Sequence, residues 1–218
     1  MSNLLIVESD NDRYFLEALI FHLNMDVDVD YPICDVDEFE CLEGLNEAKL
    51  KLKLDNIKFD KYDKVGILVD ADAEGVSNRV ALVKKVLTQA GVNNPPNQAN
   101  MLVNCPNLDV DFAIGVINVD GNGELETLLK GIKAKDSTYA DCLDSWRTCL
   151  EGMGKTVTQK DFDKFWLNNY FRYDTCSSSD MRQASRKCSK EAAFKKQGVW
   201  DFENELLDEL KKFLNLFN

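Results

Sequence analysis

Three apolar stretches of the chain each end on acidic residues. They read LLIVE at 4–8, VGILVDAD at 65–72 and AIGVINVD at 113–120. Apolar runs that stop abruptly at polar residues are typical of strands buried on both faces, as in parallel sheets covered by helices. Because the carboxyl ends of parallel strands meet at one edge of a sheet, we expect the three sets of acids to lie together there. The sequence therefore predicts an α/β fold with a carboxylate-rich sheet edge.

The segments between these stretches predict the crossover elements that a parallel sheet needs. Apolar residues recur at helical spacing over 15–23, and Asp10 or Asn11 is the expected N-cap of that helix. The segment MDVDVDYPIC alternates apolar and acidic residues and predicts a strand, which Pro32 restricts to an edge of the sheet. Up to residue 132 the predicted order is β-α-β-α-β-α-β-β-α, which indicates a mainly parallel sheet flanked by helices.

From about residue 136 onward the pattern becomes helical. Helical segments are expected near 137–151, 159–171, 178–197 and 201–217. We therefore predict an α/β core over residues 1–132 and a helical C-terminal extension over 133–218 that packs on this core.

Composition excludes several classes of protein. No apolar stretch approaches the roughly 18 residues that a membrane span needs, and the first residues show no signal-peptide pattern, so a cytoplasmic location is expected. A single histidine argues against histidine-based zinc sites and histidine-dependent triads. The seven cysteines include no CxxC pair, and we expect reduced thiols that pack as small apolar side chains. The net charge of −12 argues against a protein whose whole surface binds phosphate backbones.

The acids at the strand ends form a candidate metal site. Carboxylates that lie close together repel one another, so some must be protonated or neutralised by a cation. Oxygen ligands of this kind suit Mg²⁺ or Mn²⁺, and two ions are expected. The candidate ligands follow the three stretches: Glu8, Asp70, Asp72, Asp120 and Glu126.

A phosphorylated receiver domain is an alternative that begins in a similar way. A receiver needs two adjacent acids after its first strand, but Ser9 separates Glu8 from Asp10. It also needs a lysine at the end of a late strand, where this chain has Asp120 and Gly121. The residues therefore favour a metal site over a phosphoacceptor.

The same residues resemble a known family of metal-dependent folds. VESDNDRYFLEAL, GILVDADAEG and GELETLLKGI resemble the motifs of small stand-alone Toprim proteins related to the Toprim domain of the overcoming-lysogenization-defect (OLD) family nucleases. The resemblance covers about residues 4–132 and implies a Toprim-like fold. This chain departs from the family pattern at Ser9, where a glycine is usual, at Thr127, where an acid is usual, and in the turn VDGN before Gly123.

The resemblance also implies site residues and partners. It makes Glu8, Asp70 and Asp72 catalytic metal ligands, with Glu126 in the later site and Asp12 a weaker addition. Related nucleases use a lysine near the end of the domain, for which Lys187 and Lys190 are the candidates. Related Toprim proteins work with a fused or separate ATPase, often in phage defence, and this chain contains no ATPase of its own.

The segment 181–197 departs from the acidic trend of the chain. It is predicted to be helical, and its basic residues are candidates for contacts with nucleic-acid phosphates: Arg182, Arg186, Lys187 and Lys190. A solvated helix face with no ligand is the alternative interpretation.

Two functions are consistent with this sequence. The first is a nuclease, a hydrolase that cleaves DNA or RNA with Mg²⁺ or Mn²⁺ and works with a separate ATPase. The second is a catalytically inactive Toprim-fold module that binds or regulates a partner. The sequence leaves the choice between DNA and RNA open, and also whether the chain forms a homo-oligomer.

Overall fold

A computed structural model describes residues 2–25, 28–29 and 45–218. Its strands are β1 (Ser2–Ile6), β2 (Asp28–Val29), β3 (Tyr62–Asp70), β4 (Val103–Cys105) and β5 (Val110–Ile117). Its α-helices are α1 (Asp10–Leu23), α2 (Glu47–Asn56), α3 (Val76–Gln89), α4 (Leu125–Gly131), α5 (Leu143–Gly152), α6 (Gln159–Asn169), α7 (Ala184–Lys187), α8 (Lys190–Phe194) and α9 (Asp208–Asn215). A π-helical turn, Tyr170–Asp174, continues α6, and three short 3₁₀ helices are Phe59–Lys61, Asp180–Gln183 and Glu205–Leu207.

The strands form one mixed sheet in the order β2-β1-β3-β5-β4. The pairs β2–β1, β1–β3 and β3–β5 are parallel, and only β4 runs antiparallel to its neighbour β5. The predicted α/β class with a mainly parallel sheet is confirmed, and the elements follow the predicted order up to α4. The carboxyl ends of β1, β3 and β5 therefore lie at the same edge.

The central strands are buried on both faces because alternate residues enter two separate cores. Leu5 and Val7 enter the core formed with α1, α4, α6 and α9, whereas Leu4 and Ile6 enter the core formed with α2 and α3. This alternation follows from the two-residue period of a strand. It explains why the predicted strands read as continuous apolar runs instead of alternating with polar residues.

The C-terminal helix α9 lies directly against the sheet, at two strand glycines. A Cβ atom built on Gly66 would lie 2.5 Å from the Phe217 ring, and one built on Gly115 would lie 2.9 Å from the Phe213 ring. Both positions therefore need glycine. The first core contains residues of both predicted segments, from Leu5 to Phe217.

The segment 178–197 was predicted to be helical, but the structure breaks it into a 3₁₀ helix, α7 and α8. Ser189 starts α8 as its N-cap, and its side chain accepts a hydrogen bond from the backbone N–H of Ala192. A disulfide joins Cys176 to Cys188 across this segment. The prediction of reduced thiols is wrong for these two cysteines, since spacing in the sequence gives no information on a pairing made by the fold.

The remaining cysteines that the structure describes are unpaired. Cys105 is buried, and Cys142 and Cys149 are exposed. Cys34 and Cys41 lie outside the described residues.

Part of the predicted edge strand also lies outside the described residues. Two of its residues form β2, which is at the predicted edge of the sheet, whereas Pro32 is not among the residues described. Within the described ranges, no helix is long and apolar enough to cross a membrane.

Candidate functional site

The acidic residues of three segments meet at the carboxyl end of the sheet. Glu8 lies two residues beyond β1, and Asp70 is the last residue of β3. Asp72 has a left-handed backbone, with φ of 49°, and forms two backbone hydrogen bonds with Gly123, of 2.8 and 3.0 Å. These bonds hold the start of α4 beside the end of β3. The sequence motifs around Glu8, around Asp70 and Asp72, and around Gly123 and Glu126 are thus neighbours in space.

Direct hydrogen bonds then tie the first two acids together. An Oε1 oxygen of Glu8 accepts from the backbone N–H of Asp70 at 2.8 Å. Oδ1 of Asp70 accepts from the backbone N–H of Leu125, in the first turn of α4, at 3.1 Å. The two side chains therefore link β1, β3 and α4 at the sheet edge.

Asp12 is the third member of this group, and it is buried with 4% of its surface exposed. Its Oδ2 accepts from the backbone N–H of Ser9 at 2.8 Å and from the Ser9 hydroxyl at 2.7 Å, which completes a capping box. Ser9, and not the predicted Asp10 or Asn11, is therefore the N-cap of α1. Oδ1 of Asp12 is buried and has no hydrogen-bond partner among the described residues.

We call Glu8, Asp12 and Asp70 the buried carboxylate group. Loss of contact with water, followed by the charge of Asp12, raises the pKa of Glu8 to about 8. Burial also raises the pKa of Asp12 to about 7, against the hydrogen bonds from Ser9. Burial and the neighbouring carboxylates raise the pKa of Asp70 well above its usual value. Each of the three is costly to ionise in its place, as expected for acids that share a site with little water.

We call Asp72 and Glu124 the paired carboxylate group, because cations contact both. Lys160 on α6 bridges the two, with its Nζ 2.9 Å from Asp72 Oδ1 and 2.7 Å from Glu124 Oε1. Arg79 on α3 donates to Oδ2 of Asp72, and Lys164 lies 3.6 Å from Oε2 of Glu124.

The cations affect the two acids of this group differently. Burial opposes ionisation of Asp72, but the hydrogen bond and charge of Lys160 and the charge of Arg79 together lower its pKa. Burial raises the pKa of Glu124 in spite of the two lysines. The pKa of Lys160 is itself raised by its two carboxylate partners, against the effect of burial. Lys160 is therefore a firmly charged ammonium in the site.

The other predicted ligands differ in position. Glu126 lies half-buried in the first turn of α4, and its charge raises the pKa of Asp12, Asp70 and Glu124. Asp120 is exposed in the turn between Val119 and Asn122, because β5 ends three residues before it. The structure therefore brings Glu126 to the carboxylates, whereas Asp120 lies in an exposed turn before α4.

The predicted basic residues lie on the segment that runs from the 3₁₀ helix Asp180–Gln183 through α7 to α8. Arg182 is exposed, and the side chain of Arg186 lies outside the described residues. Lys187 lies 3.9 Å from Asp180, and Lys190 is half-buried at the start of α8, near the charge of Asp10. The lysine contacts with the carboxylates that the structure describes come instead from Lys160 and Lys164 on α6.

Sequence reasoning missed four residues of the site: Arg79, Glu124, Lys160 and Lys164. Glu124 could have been noticed, because it precedes the helix in the same GELE motif as Glu126. Lys160 could not, because it lies 88 residues after Asp72 on a helix whose place in the fold depends on tertiary packing. The same helix also contacts Thr127, whose hydroxyl donates to the buried carboxylate of Asp163 at 2.9 Å.

The six acids of the site face three cations, Arg79, Lys160 and Lys164. In the part of the chain that the structure describes, no three acidic, histidine or cysteine side chains are arranged as a ready metal-binding group. Several of the oxygens are instead engaged by backbone amides or by the cations.

Comparisons with known proteins give one result. No curated protein and no solved structure matches the chain significantly. The sequence pattern of one family, described as "Protein of unknown function (DUF3226)", matches residues 2–218. The chain therefore belongs to the DUF3226 family.

Proposed function

We propose that this protein is a divalent-metal-dependent phosphodiesterase of Toprim type that cleaves nucleic acid. The observation that carries the proposal is the buried carboxylate group at the ends of adjacent parallel strands. Glu8 and Asp70 are linked by a hydrogen bond, the charge of Asp12 acts on both, and burial raises the pKa of all three. Ionising the carboxyls of such a site is unfavourable, and a bound cation would offset this free-energy cost.

The residues present fit a hard divalent cation. All the available donors are carboxylate oxygens, which Mg²⁺ and Mn²⁺ prefer, and Oδ1 of Asp12 is a buried acceptor with no partner in the described part of the chain. Glu8, Asp12 and Asp70 would hold one ion, and Asp72, Glu124 and Glu126 would help to hold a second. Such ions, when bound, activate water and stabilise the leaving oxygen of a phosphodiester.

The protein's own cations supply the contacts that a phosphate needs. Lys160 lies between the two acids of the paired carboxylate group and is firmly charged, so it can donate to a phosphate oxygen as negative charge develops there. We therefore propose Lys160, in place of Lys187 or Lys190, as the lysine that acts on the substrate. Arg182, Arg186, Lys187 and Lys190 remain candidates for contacts further along a nucleic acid.

The resemblance to OLD-related Toprim proteins extends the proposal to partners. We propose that the chain is the effector of a phage-defence system and that a separate ATPase controls it. The net charge of −12 is consistent with such control, because an acidic protein by itself has weak affinity for nucleic acid.

One observation favours a second candidate, a non-catalytic Toprim-fold module that binds a partner. Asp72 already has two cations as partners, and Glu124 shares one of them. A site neutralised by its own side chains can persist for structural reasons after its chemistry has been lost.

Cleavage assays separate the two candidates. Purified protein should cleave plasmid DNA or a structured RNA with Mn²⁺ or Mg²⁺, and EDTA should abolish cleavage. Glu8→Gln and Asp70→Asn should each lower the rate by at least about 100-fold, the scale of a lost electrostatic contact in a transition state. Exposed Glu205→Gln is the matched control and should keep full activity. Cleavage that survives both site changes would reject this site, and metal binding without cleavage would favour the non-catalytic module.

A further inference from the structure

A second concave site lies on the face formed by the later half of α1 and the segment 194–203. It encloses about 870 Å³, within the range of small-molecule sites in proteins. We call it the aromatic cavity. Asp12 belongs to the buried carboxylate group, and Glu17, the cavity-lining residue of α1 nearest to it in sequence, lies roughly 8 Å further along the helix axis. No residue that lines the cavity belongs to either carboxylate group. The cavity is thus distinct from the carboxylate site.

The walls of the cavity combine aromatic rings with charged and polar side chains. Phe202 and His22 face each other with ring centroids 5.2 Å apart, and Trp200 stacks on Phe194 with centroids 5.6 Å apart and planes at 25°. Phe21 also lines the cavity, and 87% of its surface is exposed. Isolated exposed apolar residues are common, but this one borders a cavity that already has aromatic walls. The shape and chemistry of these walls suit a flat ring.

Trp200 provides a second and independent indication of a ligand. Its side chain is 95% buried, with 5% exposed, and its indole N–H has no hydrogen-bond partner among the described residues. A buried donor without a partner costs about 1–3 kcal/mol, and buried tryptophans usually avoid this cost. The buried Trp166 avoids this cost, because its Nε1 donates a hydrogen bond to Asp141 at 3.1 Å. An acceptor on a bound ligand would remove the cost at Trp200.

Charges at the rim of the cavity already have partners in the protein. Lys195 is paired with Glu191 at 2.7 Å and lies 3.4 Å from Glu17, and His22 lies 2.9 Å from Glu203. A charged ligand would have to compete with these pairs, whereas a neutral ligand would leave them in place. The rim therefore favours a neutral ligand.

We propose that the aromatic cavity binds a neutral, flat heteroaromatic molecule that carries a carbonyl or ring-nitrogen acceptor, the chemistry of a nucleobase. The ring stacks on the aromatic walls, and its acceptor receives the hydrogen bond of Trp200, whose buried N–H must turn toward the cavity when the ligand binds. This proposal does not depend on the proposed nuclease activity, because it uses none of the carboxylates.

The test uses adenosine as the probe and ribose as its ring-free control, in buffer with EDTA so that the metal site has no influence. Saturation-transfer NMR and calorimetry should show saturable binding of adenosine and none of ribose. Phe21→Ser should weaken binding at least about fivefold, since stacking of a base on an aromatic ring contributes about 1–3 kcal/mol. Because Phe21 is exposed, the variant should keep the melting temperature of the parent.

Trp200→Phe tests the hydrogen bond separately. The variant keeps an aromatic ring but loses the N–H, and it should weaken adenosine binding about fivefold, the scale of one hydrogen bond. Phe165→Ser, which removes an exposed ring that packs on Trp146, should leave binding unchanged. Binding that Phe21→Ser does not weaken, equal binding of ribose, or no binding of adenosine would overturn the proposal.

Discussion

The buried and the paired carboxylate groups occupy one sheet edge but are stabilised in opposite ways. Backbone amides and the Ser9 hydroxyl provide the hydrogen bonds of Glu8, Asp12 and Asp70, and the pKa of each is raised. Arg79 and Lys160 instead neutralise Asp72, whose pKa is lowered. The difference indicates that the buried group lacks a cation that would favour its ionised form. The paired group already has such cations, and one of them must leave before another cation can bind there.

The largest expected effect concerns the paired group. Arg79 is buried against Asp72, with 9% and 13% of the two side chains exposed. Arg79→Met should lower the free energy of unfolding by about 3 kcal/mol, because it leaves a poorly hydrated charge with one partner fewer. Urea unfolding measures the loss. Lys51→Met, which breaks the more exposed Lys51–Asp55 pair, should cost less than about 1 kcal/mol, and equal losses in the two variants would contradict this account.

A pH dependence should distinguish the buried group. The pKa of Glu8 is about 8 in the folded protein against 4.5 ordinarily, so between these values the folded state binds more protons than the unfolded state. The contribution of Glu8 to the stability of the metal-free protein should therefore be fully present below about pH 4.5 and be lost as the pH rises through 8, by on the order of 1–3 kcal/mol.

Urea unfolding in EDTA at a series of pH values measures this slope. Glu8→Gln should make it shallower, because the variant has no proton to lose at that position, whereas Asp120→Asn in the exposed turn should leave it unchanged. Added Mn²⁺ should restore stability at pH 8. A slope that is the same in Glu8→Gln and the parent would show that the buried group does not control it.

The smallest expected effect concerns the lysine between the two acids of the paired carboxylate group. Lys160→Met frees one oxygen each of Asp72 and Glu124 and should raise Mn²⁺ affinity about tenfold, equivalent to about 1.4 kcal/mol, while lowering any cleavage rate. Calorimetry measures the affinity. Lys212→Met removes an exposed lysine that pairs with Glu209 and should change neither quantity. An unchanged affinity in Lys160→Met would mean that the paired group takes no part in metal binding.

Strand-end positions could be predicted from the sequence because they depend on local patterns. The apolar runs before Glu8 and Asp70 indicate buried strands, and parallel pairing then brings their ends together without further information. The same reasoning predicted that Asp120 ends a strand, and this prediction is wrong. Two backbone hydrogen bonds between Val119 and Asn122 close a turn, so β5 ends at Ile117.

Residues supplied by other elements could not be predicted in this way. Lys160 reaches the site only because α6 packs against α4, and amphipathic spacing fixes the buried face of a helix but not its neighbour. The disulfide has the same origin, since Cys176 and Cys188 are brought together by the turns between them. A metal-binding role for the acids and the Toprim identity of the fold stay predictions.

The contact of α9 with the sheet has a consequence for how the protein is made. The Asn3 side chain donates to the backbone carbonyl of Phe217, 214 residues later, and the Phe213 and Phe217 rings cover the flat surface at Gly115 and Gly66. A ribosome adds about 5–20 residues per second, so the apolar face of β1, β3 and β5, which is complete at Ile117, waits roughly 5–20 s before its cover emerges. During that interval the nascent chain presents a sheet surface to which chaperones or other nascent chains can bind.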